Sequence, residues 1–288
     1  DVYKRQGLGY GIIHGYNYGI DFTGGTMLEF DMGKKTSSQD IEKALDKYDL
    51  NPQIVFSGEN EDRVVIKTIK ALENKERGKI IDTMKEEFNL KDESVLASEQ
   101  FGPTIGKELK TNAVKSIAFA AIGMLIYIIF RFKSWKYGVS SIAGVLHDVM
   151  VMLAFYALFG VTINNPFIAG ILTVVGYSIN DTIVIFDRIR ENRHFFRKKP
   201  LIEVLNYSIA QTLDRSIVTS LTTIACMIPL FIMVSASIRE FVLPLMIGVI
   251  VGTYSSIFLC SPLLYEFSKD EDKSTYETKH KKNKKEKK

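Results

Sequence analysis

Cysteine, proline and tryptophan are scarce in this sequence of 288 residues, which contains 2 Cys, 7 Pro and 1 Trp. Two cysteines are too few for a disulfide framework, and since Cys226 and Cys260 both lie in apolar runs we expect inert buried thiols. Charge is also missing from long stretches between Ser116 and Tyr265. A charge-free run of about 20 residues is long enough to cross a lipid bilayer, which excludes a purely soluble protein.

Sequence motifs of common enzymes are missing as well. The chain contains no P-loop, no cluster of residues with metal-ligand spacing and no Ser-His-Asp pattern. The formal net charge of +4 is too small to suggest nucleic acid as a partner, and the surplus lies in loops and in the tail 266–288. We therefore expect no enzyme activity, no catalytic residues, no metal, no other cofactor and no nucleic-acid partner.

Five apolar segments predict membrane-spanning helices, because lipid offers no water to bind backbone groups and a helix satisfies them internally. The predicted spans are residues 113–130, 137–160, 166–186, 216–234 and 241–265. The sequence thus predicts an α-helical polytopic membrane protein whose transmembrane domain covers residues 111–265.

Lysine and arginine lie on one side of these spans. The loops after the first and third spans and the tail 266–288 are basic. In the loops 161–165 and 235–240, Arg239 is the only basic residue. Since basic loops stay in the cytoplasm, the C-terminus is predicted to be cytoplasmic and residues 26–110 extracytoplasmic. An extracytoplasmic domain needs a preceding signal or span, so residues 1–25 are interpreted as the remnant of a first span and its junction.

Residues 26–110 have the polar and apolar alternation of a soluble domain. The pattern predicts strands at 27–30, 53–56, 63–68 and 94–99 and helices at 37–48 and 74–88. The order βαββαβ is that of a ferredoxin-like α+β domain.

Asp181 and Arg215 are the charged residues that bear most on function. Asp181 lies within the third span and Arg215 at the cytoplasmic entrance of the fourth, so consecutive antiparallel helices place them at compatible depths. Charges at membrane depth cost about 2.5–3.5 kcal/mol and usually face a cavity or a partner. A carboxyl group that alternates between a guanidinium and apolar surroundings takes up and releases a proton. We predict that the two residues form a proton relay. The alternatives are a static ion pair that fixes helix packing and an aspartate that caps the end of a span.

A second polar group, formed by His147 and Asp148 in the second span and Asn180 in the third, has two interpretations. These residues could extend a proton path through the membrane. Alternatively, they hydrogen-bond polar groups of neighbouring helices. The sequence leaves both open.

Several long motifs in one order resemble the SecF subunits of the bacterial Sec protein translocase, within the SecD/SecF family and the resistance-nodulation-division (RND) superfamily. The motifs are GIDFTGGT at 19–26, GPTIGKEL at 102–109, GYSINDTIVIFDRIREN at 176–192, NYSIAQTLDRSIVTSLTT at 206–223 and GTYSSIFLCSPLL at 252–264.

The resemblance implies six spans, of which five are visible here, in the bacterial cytoplasmic membrane. It implies SecD, the SecY-SecE-SecG channel and YajC as protein partners, a secreted polypeptide as cargo, and the proton-motive force as energy source. It assigns the family's intramembrane aspartate and arginine to Asp181 and Arg215. Its junction motif falls on Gly19, Asp21, Gly24 and Gly25, where glycines permit the tight turns of a hinge.

Two other functions remain open. One is a small-molecule efflux permease of the RND type, which would need a larger chain. The other is an intramembrane aspartyl protease built from Asp148 and Asp181, since two carboxylates on adjacent helices can share a proton. The lysine-rich tail adds anionic membrane lipid as an expected partner.

Overall fold

The structure, a computed structural model, describes residues 2–58, 60–233 and 236–269. Most of the predicted basic tail, residues 270–288, lies outside the described residues. The chain divides into two compact units. One consists of the chain up to Ser116 with Leu153–Gly170 and Met227–Pro244, and the other of Ile117–Met152, Ile171–Cys226 and the chain from Leu245 onward.

The α/β domain of the first unit confirms the predicted βαββαβ order. A four-stranded sheet has the strand order β2-β3-β1-β4, with every neighbouring pair antiparallel. Two short 3₁₀ turns, Asp46–Tyr48 and Asp92–Ser94, follow the two helices. The elements are β1 (Gly25–Asp31), α3 (Ser38–Leu45), β2 (Gln53–Ser57), β3 (Arg63–Thr68), α4 (Asn74–Phe88) and β4 (Val95–Phe101).

Local capping explains where the two helices of this domain begin. The Ser37 hydroxyl accepts a hydrogen bond from the Gln39 amide at the start of α3, which satisfies an amide that has no partner inside the helix. The α4 helix begins with a capping box between Glu73 and Glu76 and ends at Asn89 in the left-handed conformation. These are sequence-local signals, so both helices were predictable.

One face of the sheet and the inner faces of α3 and α4 enclose the hydrophobic core of the domain. The side chains of this core alternate along β1 and β3 and recur at helical spacing on α3 and α4. Its buried members are Leu28, Phe30, Met32, Ile41, Leu45, Leu50, Val64, Ile66, Leu72, Ile80 and Met84.

Within the described residues, five helices are long and apolar enough to cross a membrane, which confirms the five spans predicted from the sequence. Most extend beyond the predicted segments, because backbone hydrogen bonding continues into the polar sequence on either side of an apolar run. The helices are α5 (Pro103–Phe132), α6 (Trp135–Leu158), α7 (Asn165–Phe195), α8 (Leu201–Met233) and α9 (Ala236–Ser255), and a π-helical turn, Ser256–Cys260, leads α9 into a helical segment that ends at Lys269.

The spans differ in how much of their apolar surface the chain itself covers. About half of the apolar window is buried in α6, α7 and α9, but only 6% in α5 and 11% in α8. The outer faces of α5 and α8 are therefore left to lipid or to another protein. Cys260 is buried as expected, whereas the expectation for Cys226 was wrong, since this residue of α8 is exposed.

The N-terminal helices precede the sheet. Helix α1 (Val2–His14) packs closely on α6 through two glycines. A Cβ added at Gly7 would lie 2.7 Å from Ala154 Cβ, and one added at Gly11 would lie 3.0 Å from Ala157 Cβ. Such small-residue contacts are typical of helices that associate in membranes. A single turn, α2 (Ile20–Thr23), then joins α1 to the sheet.

The two glycines between α2 and β1 have a strict steric requirement. Gly24 and Gly25 have φ angles of 79° and 152°. Residues that carry a side chain rarely adopt such angles. A Cβ at Gly25 would lie 2.1 Å from the carbonyl oxygen of Thr68 on the neighbouring strand β3. The close approach of these two backbones leaves no space for any side chain.

We predict that Gly25→Ala destabilises the chain by roughly 3 kcal/mol, because it combines a strained backbone with a steric clash. The measurement is the midpoint of thermal unfolding of the full chain in detergent. Gly102→Ala is the matched control, since a Cβ there meets nothing within 4 Å. Equal midpoints for the two variants would contradict the steric requirement.

Candidate functional site

Asp181 lies on the face of α7 that contacts α8, and it is 6% exposed. The Ser216 hydroxyl of α8 donates a hydrogen bond of 2.9 Å to Asp181 Oδ1. The other carboxylate oxygen, Oδ2, is buried and has no hydrogen-bond partner among the described residues. A carboxyl group with one free oxygen at membrane depth is equipped to receive a proton.

Three further residues of α7 make polar contacts with α8 along the same face. Tyr177, Asp181, Arg188 and Asn192 are separated by four, seven and four residues, which places them on one side of the helix. The contacts are Tyr177 Oη to Thr223 Oγ1 at 3.2 Å, Arg188 Nε to Gln211 Oε1 at 2.6 Å, and Asn192 Nδ2 to Ser208 Oγ and to Gln211 Oε1, both at 2.9 Å. This face of α7 therefore forms a row of hydrogen bonds with α8.

Among the described residues no salt bridge of 4.0 Å or less joins Asp181 to Arg215, the arrangement considered above as a static ion pair. Neighbouring residues of a helix point roughly 100° apart, so Ser216 and Arg215 cannot both face α7. In this structure Ser216 faces α7. Arg215 is exposed but close enough to attract the carboxylate electrostatically. Its role in a proton relay stays a prediction.

Asp148 of α6 forms a second, separate polar cluster and is 1% exposed. Its Oδ2 accepts hydrogen bonds from the hydroxyl groups of Ser178 in α7 at 2.6 Å and Ser255 in α9 at 2.9 Å. His147 Nδ1 lies 3.2 Å from Oδ1. One carboxylate thus joins three helices, which is the helix-packing alternative considered for this residue.

Asn180 does not belong to this cluster. It is exposed on α7, although it was predicted together with His147 and Asp148. The reason is again helical direction. Ser178 faces the cluster, and Asn180, two residues further on, points roughly 200° away from it. The cluster instead includes Thr182, whose hydroxyl lies 2.8 Å from that of Ser256 in the π-helical turn.

The partners of Asp148 and Asp181 differ, which disfavours the aspartyl protease alternative. Such a protease needs two carboxyl groups about 3 Å apart that share one proton. Here Asp181 binds Ser216, whereas Asp148 binds Ser178 and Ser255. In the described part of the chain, no three His, Cys, Asp or Glu side chains are grouped as metal ligands would be.

Small residues bring the helices of the second cluster close together. A Cβ at Gly144 would lie 2.3 Å from Cys260 Sγ, and a Cβ at Gly252 would lie 2.9 Å from Ser178 Cβ. A Cβ at Gly248 would lie 2.1 Å from a methyl carbon of Val174. Gly248 and Gly252 form a GxxxG pattern, a signal of close helix packing, and sequence reasoning missed it together with Ser178, Ser216 and Ser255.

The junction motif contacts the beginning of α7. Gly19 and Ile163 are joined by backbone hydrogen bonding, with the Gly19 amide donating to the Ile163 carbonyl at 2.8 Å. The Asp21 carboxylate accepts a hydrogen bond of 2.9 Å from the backbone amide of Asn165. The acid satisfies a free amide in the first turn of α7, where the helix dipole favours negative charge. A hinge at this motif remains a prediction.

Most of the chain matches models of known protein families. Residues 80–270 match the family described as "Protein export membrane protein SecD/SecF, C-terminal", and residues 14–35 match the "SecD/SecF GG Motif". The second match contains Gly19, Asp21, Gly24 and Gly25.

Individual relatives are similar over nearly the whole chain. The protein translocase subunit SecF of Sebaldella termitidis is 39% identical, with 87% of this chain and 82% of the relative covered. The SecF of Haemophilus influenzae is 35% identical, with 88% and 78% covered. The protein translocase subunit SecDF of Thermus thermophilus is 38% identical, but the match covers 87% of this chain and only 34% of that longer protein.

A solved structure has the same fold. The crystal structure of SecDF from Thermus thermophilus, described as a translocon-associated membrane protein, superposes with a TM-score of 0.79 at 36% identity. The superposition covers 93% of this chain and 37% of the SecDF chain, so this chain spans little more than a third of that protein.

We predict that Asp148→Ala destabilises the chain by about 2–3 kcal/mol, because the buried hydroxyl groups of Ser178 and Ser255 lose their acceptor. The midpoint of thermal unfolding in detergent measures the effect. Asn180→Ala, at an exposed position of α7, is the control and should leave the midpoint unchanged. A stable Asp148→Ala protein that has lost activity would instead favour the proton-path interpretation.

Proposed function

Because the chain belongs to the SecD/SecF family of protein export membrane proteins, we propose that it works with SecD to promote the export of unfolded polypeptides. The proton-motive force supplies the energy, so the chain catalyses no covalent reaction and needs no cofactor. The observation that carries this proposal is the buried Asp181 carboxylate, with one oxygen bound by Ser216 and the other free.

Protonation of Asp181 changes what this carboxyl group can bind. The ionised group is only an acceptor, whereas the protonated group carries an O–H donor that requires an acceptor of its own. Its attraction to Arg215 also disappears when the charge is lost. The contact between α7 and α8 that holds the ionised group therefore rearranges when the proton binds.

The membrane potential is large enough to drive such a rearrangement. One elementary charge that crosses 100 mV gains about 2.3 kcal/mol. Two helix arrangements that differ by a few kcal/mol change their relative populations appreciably under a bias of this size. A cycle of protonation and release would thus alternate the two arrangements.

The proposed topology follows from the basic loops. The α/β domain lies outside the cytoplasmic membrane, where it meets the emerging polypeptide, and the C-terminus lies in the cytoplasm. The lysines of the tail contact anionic lipid. This arrangement puts the proton-binding helices and the polypeptide-binding domain in one chain.

The proposed protein partners are SecD, the SecY-SecE-SecG channel and YajC. Support for SecD comes from relatives in Thermus thermophilus and Brucella abortus, each named SecDF, in which a single longer chain contains a region similar to this one. The exposed apolar faces of α5 and α8 offer surface for a membrane partner. The efflux-permease alternative has no comparable support, since the relatives are named as translocase subunits.

We predict that Asp181→Asn, with SecD present in inverted membrane vesicles, abolishes the stimulation of late-stage export by the proton gradient. Asparagine accepts the Ser216 hydrogen bond but does not take up the proton. The measurement compares the rate at which export is completed with and without the gradient. Asn180→Ala, one residue away and exposed, should keep the stimulation. A normal response of Asp181→Asn to the gradient would remove Asp181 from the mechanism.

A further inference from the structure

Glu240, in the second turn of α9, binds side chains from three other elements of the first compact unit. Its Oε2 accepts a hydrogen bond of 2.7 Å from Asn164 Nδ2, and its Oε1 accepts one of 3.4 Å from Gln53 Nε2. Lys67 Nζ lies 3.8 Å from Oε2. The residue thus brings an acidic group of a membrane helix into contact with the α/β domain.

Each partner of Glu240 is itself held in place. Asn164 is the residue before α7, and its Oδ1 accepts a hydrogen bond of 3.0 Å from the Phe167 amide, so its Nδ2 is left to donate to Glu240. Gln53 and Lys67 are directly opposed on β2 and β3. One carboxylate therefore ties the beginning of α9 to the beginning of α7 and to the sheet.

The contact lies on the face of the sheet that points away from α3 and α4. On this face the opposed residues Val55 and Val65 are only 3% and 8% exposed, so the face is covered rather than solvated. Next to Glu240, Arg239 Nη2 lies 3.7 Å from Glu61 Oε1, beside the connection from β2 to β3. The first turns of α9 thus contact the β2–β3 hairpin at Gln53, Glu61 and Lys67.

The contacts of Glu240 differ in length. The side chain is 19% exposed, and only the hydrogen bond from Asn164 is short. Gln53 Nε2 and Lys67 Nζ lie 3.4 Å and 3.8 Å from the carboxylate oxygens. A cavity of about 320 Å³ adjoins the carboxylate, and Gln53, Arg239 and Glu240 contribute to its lining. Water in this space could solvate the charges when the contact separates.

We propose that Glu240 is a positioning residue that transmits movement of α7 and α9 to the α/β domain, an inference that rests on the proposed function. Helix α7 carries both Asp181 and, at its start sixteen residues earlier, Asn165, which follows the asparagine that binds Glu240. A displacement of α7 on protonation moves Asn164, and the Glu240 contacts pass that displacement to β2 and β3.

The test is a charge exchange between Glu240 and Lys67 in inverted vesicles that contain the full chain and SecD. Glu240→Lys and Lys67→Glu each place like charges side by side, and each should slow gradient-stimulated completion of export about tenfold. The double variant restores the opposite charges but not the acceptor for Asn164 Nδ2. It should therefore regain only about threefold of the tenfold loss. The amount of each variant in the membrane is measured in parallel.

Lys85 and Asp92 supply the matched control, because they form an ion pair of 2.7 Å within the same domain and neither contacts Glu240. Lys85→Glu, Asp92→Lys and their combination should leave export unchanged. If these variants also slowed export, a general effect of charge on the domain would explain the result and the inference would be overturned.

Two other outcomes would also overturn the inference. Normal export by Glu240→Lys in vesicles whose wild-type protein responds to the gradient would exclude Glu240 while leaving the proposed function intact. If slower export by the single variants only followed their reduced amounts in the membrane, Glu240 would be a purely structural residue. A wild-type protein that does not respond to the gradient would contradict the proposed function itself.

Discussion

The architecture depends on one constraint, namely that polar side chains inside an apolar helix bundle need partners. Helix α7 meets this constraint in two directions. One face, with Tyr177 and Asp181, binds α8, and the adjacent positions Ser178 and Thr182 bind Asp148 and Ser256. Because its polar groups are divided between two sets of neighbours, α7 cannot turn about its axis without breaking one set.

The two buried carboxylates differ in how completely they are satisfied. Both oxygens of Asp148 have polar neighbours on α6, α7 and α9, as expected of a group that fixes three helices. Asp181 has one hydrogen bond and one free oxygen. An incompletely satisfied buried group is costly to keep, and a site that must gain and lose a proton has reason to retain it. The contrast favours the helix-packing interpretation of Asp148 and, in the proposed mechanism, supports a switching role for Asp181.

The beginning of α7 is held by three separate parts of the chain. The junction motif supplies the Asp21 carboxylate to the Asn165 amide, the Gly19–Ile163 hydrogen bond fixes the preceding loop, and Glu240 binds Asn164. Gly25 then lets the backbone of β1 approach β3 closely. In the proposed mechanism, these contacts make the first turn of α7 the point at which a helix displacement reaches the α/β domain.

Apolar run lengths and periodicity determined the five spans, the βαββαβ order and the position of Asp181 inside a span. These features depend on residues that are close together in the chain. Tertiary structure decided the partners: Ser216 rather than Arg215 for Asp181, Ser178 and Ser255 for Asp148, and Lys67 with Asn164 for Glu240. The physical reason is rotational. Successive helical residues differ by roughly 100° in direction, and the packing of neighbouring helices, which involves residues distant in sequence, sets which of them faces its neighbour.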